Sequence, residues 1–440
     1  MRSKTFRGGV HPHDNKHYSN EKPIEEFPAP KRVVIHLSQH IGAPSKPIVA
    51  VGDFVKKGQK IAEANGFVSI PMHTPISGKV VKIGDFPHPI GTVQQAIEIE
   101  NNGKNEWTDS IKDNEKFLQL SVDEMKNQIK NAGVCGMGGA GFPTIVKLSP
   151  PKEKPIDTAI LNGVECEPFL TADHRLMLEK PDEIIAGLRI IMKILNAKSG
   201  IIGIELNKKD AIKIFKNKLK NSKNMKVVPL KLRYPQGAEK QLIFAATRRK
   251  VPAGGLPMDI GVVVQNVGTA LAIYEAVRYN RPCIKRITTV TGEIVKSPKN
   301  LRVPIGTMIS DMINYCDGTN KNIAKIISGG PMMGFAIPTS ETPITKTTSG
   351  IVLFGEDDII DTTEQVCLRC GRCVDACPMN LTPTFIVENV KNQNYEEAKK
   401  VNILDCMECG SCSFVCPSHI QLIQWIKLGK LEVGKLKKKE

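Results

Sequence analysis

Residues 136–144, GMGGAGFPT, decide how the centre of this chain is read. Gly136, Gly138 and Gly141 satisfy G-x-G-x-x-G, the spacing of a dinucleotide-binding turn, and Gly139 removes one more Cβ. The pattern carries that meaning only between a strand and a helix. Here the preceding segment, SVDEMKNQIKNAG (121–133), reads as a helix. Ser121 and Glu124 make a capping box, Val122, Met125 and Ile129 share one face, and Gly133 can close the end. The loop therefore follows a helix, which argues against a Rossmann turn. Closely spaced glycines still let backbone N–H groups approach a phosphate, and a helix start adds about half a positive charge.

Beyond the loop the hydrophobic period alternates. Strand-like DTAILNG precedes helical PDEIIAGLRIIMKIL, SGIIGIEL precedes KKDAIKIFKNKLK, MKVVPLKL precedes GAEKQLIFAATRR, and DIGVVVQNV precedes GTALAIYEAVRYN. Four β-then-α pairs predict a parallel sheet with helices on its faces, and ligands in such folds sit at the carboxyl ends of the strands. ILNGVECEP, YPQGAEKQ and VQNVGT fall at those ends.

Twelve cysteines, eight of them in two tight groups, point to metal rather than to a disulfide framework. CLRCGRCVDACP and CMECGSCSFVCP each give C-x2-C-x2-C-x3-C-P, the run that holds paired [4Fe–4S] clusters. In that run the fourth Cys serves the other cluster. Cys367, Cys370, Cys373 and Cys416 are thus assigned to one cluster, and Cys406, Cys409, Cys412 and Cys377 to the other. Zinc sites pair two C-x2-C knuckles across a longer gap, which this is not. The segment between the motifs, TPTFIVENVKNQNYEEAKKV, reads as a helix, and Cys135, Cys166, Cys283 and Cys316 read as small buried residues.

The flanks divide the remainder. Residues 1–41 form a polar, Pro-rich arm whose His11, His13, His17 and His36 lack partners at metal spacing. Residues 42–100 read as short strands between Gly and Pro, 101–120 as a polar linker, 120–282 as the α/β domain, and 284–330 as a small β-grasp unit. A connecting loop (331–362), the cluster domain (363–425) and a basic tail (426–440), expected to fray in solvent, complete the chain. The length of 440 residues suits several domains. No run of about 18 apolar residues is present, and the N-terminus has no apolar signal core, so a cytoplasmic protein is expected. The net charge of +16 could draw nucleic acid, but only 14 of the 61 basic residues are Arg, aromatics are 5%, and no nucleic-acid motif is visible.

Three resemblances sharpen this reading. VGDFVKKGQKIAE…TPISGKVV resembles lipoyl and biotinyl carrier domains, small barrel-sandwich hybrids, although Asn65 and Gly66 stand where those carriers present a Lys. GMGGAGFPTIVK is similar to the G-x-G-G-A-G-F-P-T-x-x-K segment of the FMN- and NADH-binding flavoprotein subunit of respiratory complex I. NGVECEP, YPQGAEKQL and NVGT resemble that subunit's later motifs. The likeness implies cofactor contacts from Gly136, Gly138, Gly139, Gly141, Phe142, Lys147, Asn162, Glu165, Glu167, Gly237, Glu239, Asn266 and Thr269. Lys147 is expected at the FMN phosphate, Asn162 at the isoalloxazine edge or ribityl chain, and Glu165 and Glu167 at ribityl or ribose hydroxyls. Met137 and Val164 depart from the family's Arg and Asp.

End to end, FRGGVHP, the barrel-sandwich, the flavin loop, VTGEIVKSPKNLRVPIGT (an SLBB-like β-grasp), SGGPMMG and the two ferredoxin motifs resemble the RnfC family, components of the Rnf membrane complex. The resemblance implies an NADH/NAD-reactive oxidoreductase subunit, peripheral on the cytoplasmic face of the membrane. Electrons would pass between NAD(H), FMN and two [4Fe–4S] clusters, with integral membrane and iron–sulfur subunits as partners and ferredoxin met indirectly. The alternatives are a soluble flavin/iron–sulfur reductase such as a microcompartment cobalamin reductase, or a relay and docking subunit that has lost flavin binding.

Overall fold

The computed structural model describes residues 4–359 and 363–436. At its centre four parallel strands run in the order Met225–Leu230, Ser199–Glu205, Thr158–Gly163, Val262–Asn266. The chain steps outward twice from Thr158–Gly163 and then returns to its other side. Loops leaving those two adjacent strands diverge and open a crevice at their carboxyl ends. Asn162 and Asn266 stand in register at that point. The strands are apolar on both faces, as a sheet covered by helices on both sides requires: Ile202, Ile204 and Val262 are fully buried. Helices Pro181–Leu195 and Val267–Tyr279 cross closely because Gly187 has no side chain; a Cβ there would lie 2.2 Å from the Ala270 carbonyl oxygen. Helix Ala172–Glu179, between the first strand and Pro181, is an element the periodicity does not separate.

The helix expected before the glycine loop is present at Val122–Asn131, with both halves of the Ser121/Glu124 capping box formed and Gly133 left-handed at φ 64°. The barrel-sandwich has one sheet of Arg32–His36, Val93–Asn101, Gly78–Pro87 and Phe54–Val55, and a second of Lys46–Pro47, Lys60–Glu63 and Met72–His73. Its first strand lies upstream of the expected boundary at 42. His36 therefore belongs to the barrel core, edge-on to His88 at 4.5 Å. Burial pulls its pKa down to about 4, so it is neutral.

The β-grasp unit is a six-stranded sheet, ordered Ile24–Glu26, Lys299–Pro304, Lys285–Thr291, Gly350–Phe354, Lys325–Ser328, Phe335–Ile337. Two expectations change here. The arm contributes the edge strand Ile24–Glu26, and the supposed connecting loop 331–362 supplies the central strand Gly350–Phe354. The apolar run GIVLF is a buried strand whose signal is hidden by the Gly-, Thr- and Pro-rich sequence before it.

In the C-terminal domain the intermotif segment is two helices, Pro383–Lys391 and Tyr395–Lys400, broken at Gln393 with φ 59°. The last helix, Leu422–Leu436, carries most of the expected frayed tail, because Val433 is buried and Gly429 lies against Val390 and Ile403. Residues 437–440 of that tail lie outside the described residues.

The arm joins the domains. Lys4 bridges to Leu230, lining the sheet's edge strand, and Val10 pairs with Tyr234. Between them Gly8 and Gly9 take φ of +80° and +79°, where an L side chain is strained. A Cβ on Gly8 would lie 2.8 Å from the Cys377 carbonyl oxygen, and one on Gly9 2.4 Å from that of Tyr234. FRGG thus threads the seam between the α/β domain and the cluster domain.

Candidate functional site

The glycine loop is closed at its base and open at its tip. Cys135 bridges to Pro143, and the Gly136 amide donates to the Phe142 carbonyl at 2.9 Å. Gly138, Gly139 and Ala140 are exposed, while Phe142 is half-buried and Gly141 is buried at φ +71° beneath Gln39 and Thr347. Gly138 leans on the end of the fourth strand, where a Cβ would come 2.9 Å from the Asn266 side chain. Among the described residues, no backbone carbonyl accepts from the amides of Gly138, Gly139 or Ala140. Successive free N–H groups on a Cβ-poor turn make an anion-binding concavity.

The polar side chains expected as ligands meet at the crevice, yet mostly hold one another. Asn162 donates to the Gly237 carbonyl at 2.7 Å, tying two strand-end loops together. Asn266 caps helix Val267–Tyr279 by accepting from the Gly268 amide at 2.8 Å and donates to Asp173 at 2.6 Å. Thr269 Oγ1 accepts from the Met137 amide at 2.9 Å. Lys147 pairs with Glu239 at 2.6 Å, so its charge is shared with a carboxylate. Glu165, expected at a hydroxyl, instead sits at φ 47° and accepts from the amides of Asp173 and His174 at 2.7 and 3.1 Å, capping helix Ala172–Glu179. Burial, and then Glu165 nearby, push the Asp173 carboxyl up to about 6.

The loop 164–170 is held from below by two buried lysines. Lys208 donates to the Val164 carbonyl at 2.7 Å and Lys16, from the arm, to the Glu167 carbonyl at 2.9 Å. Glu205, fully buried 3.8 Å from Lys208, balances them.

Glu167 turns away from the crevice toward the cluster domain. It accepts from the Met332 amide at 3.0 Å, in SGGPMMG, and lies 3.4 Å from the Tyr234 hydroxyl. That hydroxyl has one hydrogen, and the shorter contact, 2.8 Å to the Cys409 carbonyl, takes it. The Tyr234 oxygen can then accept from Glu167 in its acid form, and burial pushes the Glu167 carboxyl up to about 7.

Cys377, Cys406, Cys409 and Cys412 line a single cavity closed by Leu381 and Ile426. Thiols spread around a void suit a cubane, whereas one zinc ion draws four sulfurs to about 2.3 Å from a point. The two motifs repeat the same backbone: Arg369 and Glu408 are left-handed at φ 52° and 60°, and Gly371 and Gly410 both have φ 75°. In each, the thiol two residues earlier accepts an amide, Arg369 to Cys367 and Glu408 to Cys406, both at 3.4 Å. Of the other set, Cys373 is buried, Cys416 half-buried, and Cys367 and Cys370 exposed.

Four family models match the chain in order. They are the RnfC barrel sandwich hybrid domain (4–104), the Nuo51 FMN-binding domain (129–275), the SLBB domain (287–336) and the 4Fe-4S dicluster domain (359–417). The C subunit of the proton-translocating ferredoxin:NAD(+) oxidoreductase complex of Clostridium ljungdahlii is 51% identical over 430 residues, 98% of this chain and 94% of that protein. The chain belongs to the RnfC family. A second relative, the C subunit of the Na(+)-translocating ferredoxin:NAD(+) oxidoreductase complex of Acetobacterium woodii, is 42% identical over 98% of this chain and 97% of its own. A chain of an NAD+-reducing [NiFe]-hydrogenase in the H2-reduced state shares the fold at TM-score 0.50 and 16% identity, over 70% of this chain and 63% of that one.

Within this RnfC-family chain, the two departures from the complex I pattern have a plain placement. Met137 is 4% exposed and Val164 fully buried, so both side chains turn into the core rather than toward the crevice. Tyr234, Met332, Lys16 and Lys208 are site-forming residues that sequence reasoning left without roles. Tyr234 and Met332 lie inside the motifs YPQGAEKQL and SGGPMMG, whereas nothing in the local sequence marks Lys16 or Lys208.

Proposed function

We propose that this chain is the NAD(H)-reactive electron-transfer subunit of an ion-translocating ferredoxin:NAD(+) oxidoreductase, working at the cytoplasmic face of the membrane. A flavin nucleotide sits in the crevice at 136–144. Cys377, Cys406, Cys409 and Cys412 would hold an inner [4Fe–4S] cluster, and Cys367, Cys370, Cys373 and Cys416 an outer one, which together would supply single-electron carriers. The contact between Tyr234 and Cys409 at 2.8 Å carries this reading, since it joins the strand-end loop of the crevice to a ligand of the inner cluster.

The crevice residues fit FMN: a Cβ-poor tip with free amides, a capped helix start, and Asn162 and Lys147 at the rim. Bound FMN supplies the exchange between two-electron hydride chemistry and single electrons. The chain's own work is positional. Gly138, Gly139 and Ala140 offer amides to a phosphate, while Asn162, Asn266 and Thr269 hold the loops that frame it. Glu167, Tyr234 and Met332 seal the wall facing the inner cluster, and no side chain is required as acid or base. The exposed Cys367 and Cys370 suit the outer cluster to a redox partner, in line with the iron–sulfur and integral membrane subunits of such complexes. No helix among the described residues is long and apolar enough to cross a membrane. The test is anaerobic purification followed by release and identification of flavin: about one FMN per chain is expected, and iron without flavin overturns the reading.

A further inference from the structure

Met137 stands where the complex I loop carries Arg, and its side chain is buried, so residue 137 places no cation beside the glycine loop. The structure brings one from another domain. Arg286, on the β-grasp strand Lys285–Thr291, is 4% exposed and donates from Nη2 to the Met137 carbonyl at 2.8 Å. Its Nη1 lies beside Gly268, 3.1 Å from where a Cβ would stand, in the first turn of helix Val267–Tyr279. Its Nε is buried with no protein partner. Arg286 and the Met137 side chain line the same interdomain cavity.

Two consequences follow from elementary geometry. A trans peptide is planar with its C=O and the next N–H pointing opposite ways. Pulling the Met137 oxygen inward onto Arg286 therefore turns the Gly138 N–H outward, toward the open crevice. Thr269 holds the other side of the same residue through the Met137 amide. The guanidinium also leaves a buried positive charge beneath a turn of free amides. Asp173, the carboxylate whose charge acts most strongly on Arg286, also accepts a 2.6 Å hydrogen bond from Asn266.

We infer that Arg286 is the positioning residue of the flavin-phosphate loop, supplying from the β-grasp domain the cation and the loop geometry that residue 137 does not. The inference rests on the flavin reading above. The experiment is titration of flavin-depleted full chain with FMN, followed by flavin fluorescence, with iron content measured alongside. Wild type must bind first; its failure would sink the flavin reading itself. Given wild-type binding, Arg286→Met should weaken FMN about 10- to 100-fold, the range for losing a charged hydrogen bond. Arg286→Lys should lose clearly less. Met137→Arg combined with Arg286→Met should recover most of the affinity, because the new guanidinium enters the cavity that Arg286 vacates. Unchanged affinity in Arg286→Met overturns the inference. So does an Arg286→Lys variant that keeps its iron yet binds no better than Arg286→Met, or a double variant with no recovery.

Discussion

Gly8 and Gly9 sit where the arm passes between the loop of Tyr234 and the backbone of Cys377. Both are left-handed, and both abut carbonyls at the seam between the crevice and the inner cluster. Gly9→Ala should cost about 1–2 kcal/mol or more from backbone handedness alone, before the clash with Tyr234 is counted. The chain should melt lower while keeping its iron, and proteolysis at the seam should speed up; an unchanged melt would show that the arm does not thread there. Tyr234→Phe removes only the hydroxyl that donates to Cys409. It should lower stability by about 1 kcal/mol and leave iron content unchanged, as denaturant unfolding beside iron analysis would show. At this scale the sequence was legible where chemistry is written in spacing. The two cysteine runs propose a crossed pairing from spacing alone, and Cys377, Cys406, Cys409 and Cys412 line one cavity. Glu165 and Asn266 were harder, because a polar residue at a strand end can serve a ligand or cap a helix. Only the geometry shows that both cap.

Among the elements, the loop 164–170 depends on a buried charge group that leaves a pH signature. Glu205 lies between Lys208 and Lys16 on the end of strand Ser199–Glu205, and burial pushes its carboxyl up to about 7 despite those lysines. In the unfolded chain it titrates near the ordinary 4.5. Between these values the folded state binds the extra proton, so this group's contribution to stability falls as pH rises through about 7. Glu205→Gln should flatten the decline in melting temperature between about pH 4.5 and pH 7; a decline of wild-type size in the variant would contradict the assignment. The parallel sheet was readable in its four apolar strands and amphipathic helices. Strand Gly350–Phe354 was not, because its partner Lys285–Thr291 is far upstream and its flanks look like loop. Edge strand Ile24–Glu26, three residues long, is set by pairing with Lys299–Pro304 rather than by its own period.

Taken whole, the molecule is a set of docked modules. Tyr234, from the α/β domain, meets Cys409 of the cavity lined by Cys377, Cys406, Cys409 and Cys412, while Cys367 and Cys370 are exposed. The crossed cysteine assignment makes a paired prediction. Cys377→Ser and Cys406→Ser should abolish the same cluster signal and about half the iron. Cys416→Ser should share its phenotype with Cys367→Ser, read by electron paramagnetic resonance and iron analysis. If Cys377→Ser matched Cys367→Ser instead, each motif would hold its own cluster. Module identity was legible from motifs at both ends; the seam was not, since Tyr234, Met332 and Gly9 meet only after three domains pack. The most direct measurement is anaerobic mixing of the oxidised chain with NADH, with flavin absorbance and cluster resonance followed together. The flavin band should bleach on adding NADH, with electrons reaching the Cys406-group cluster. A flavin that stays oxidised with NADH, while dithionite reduces both clusters, would contradict an NAD(H)-reactive crevice joined to its clusters through Tyr234.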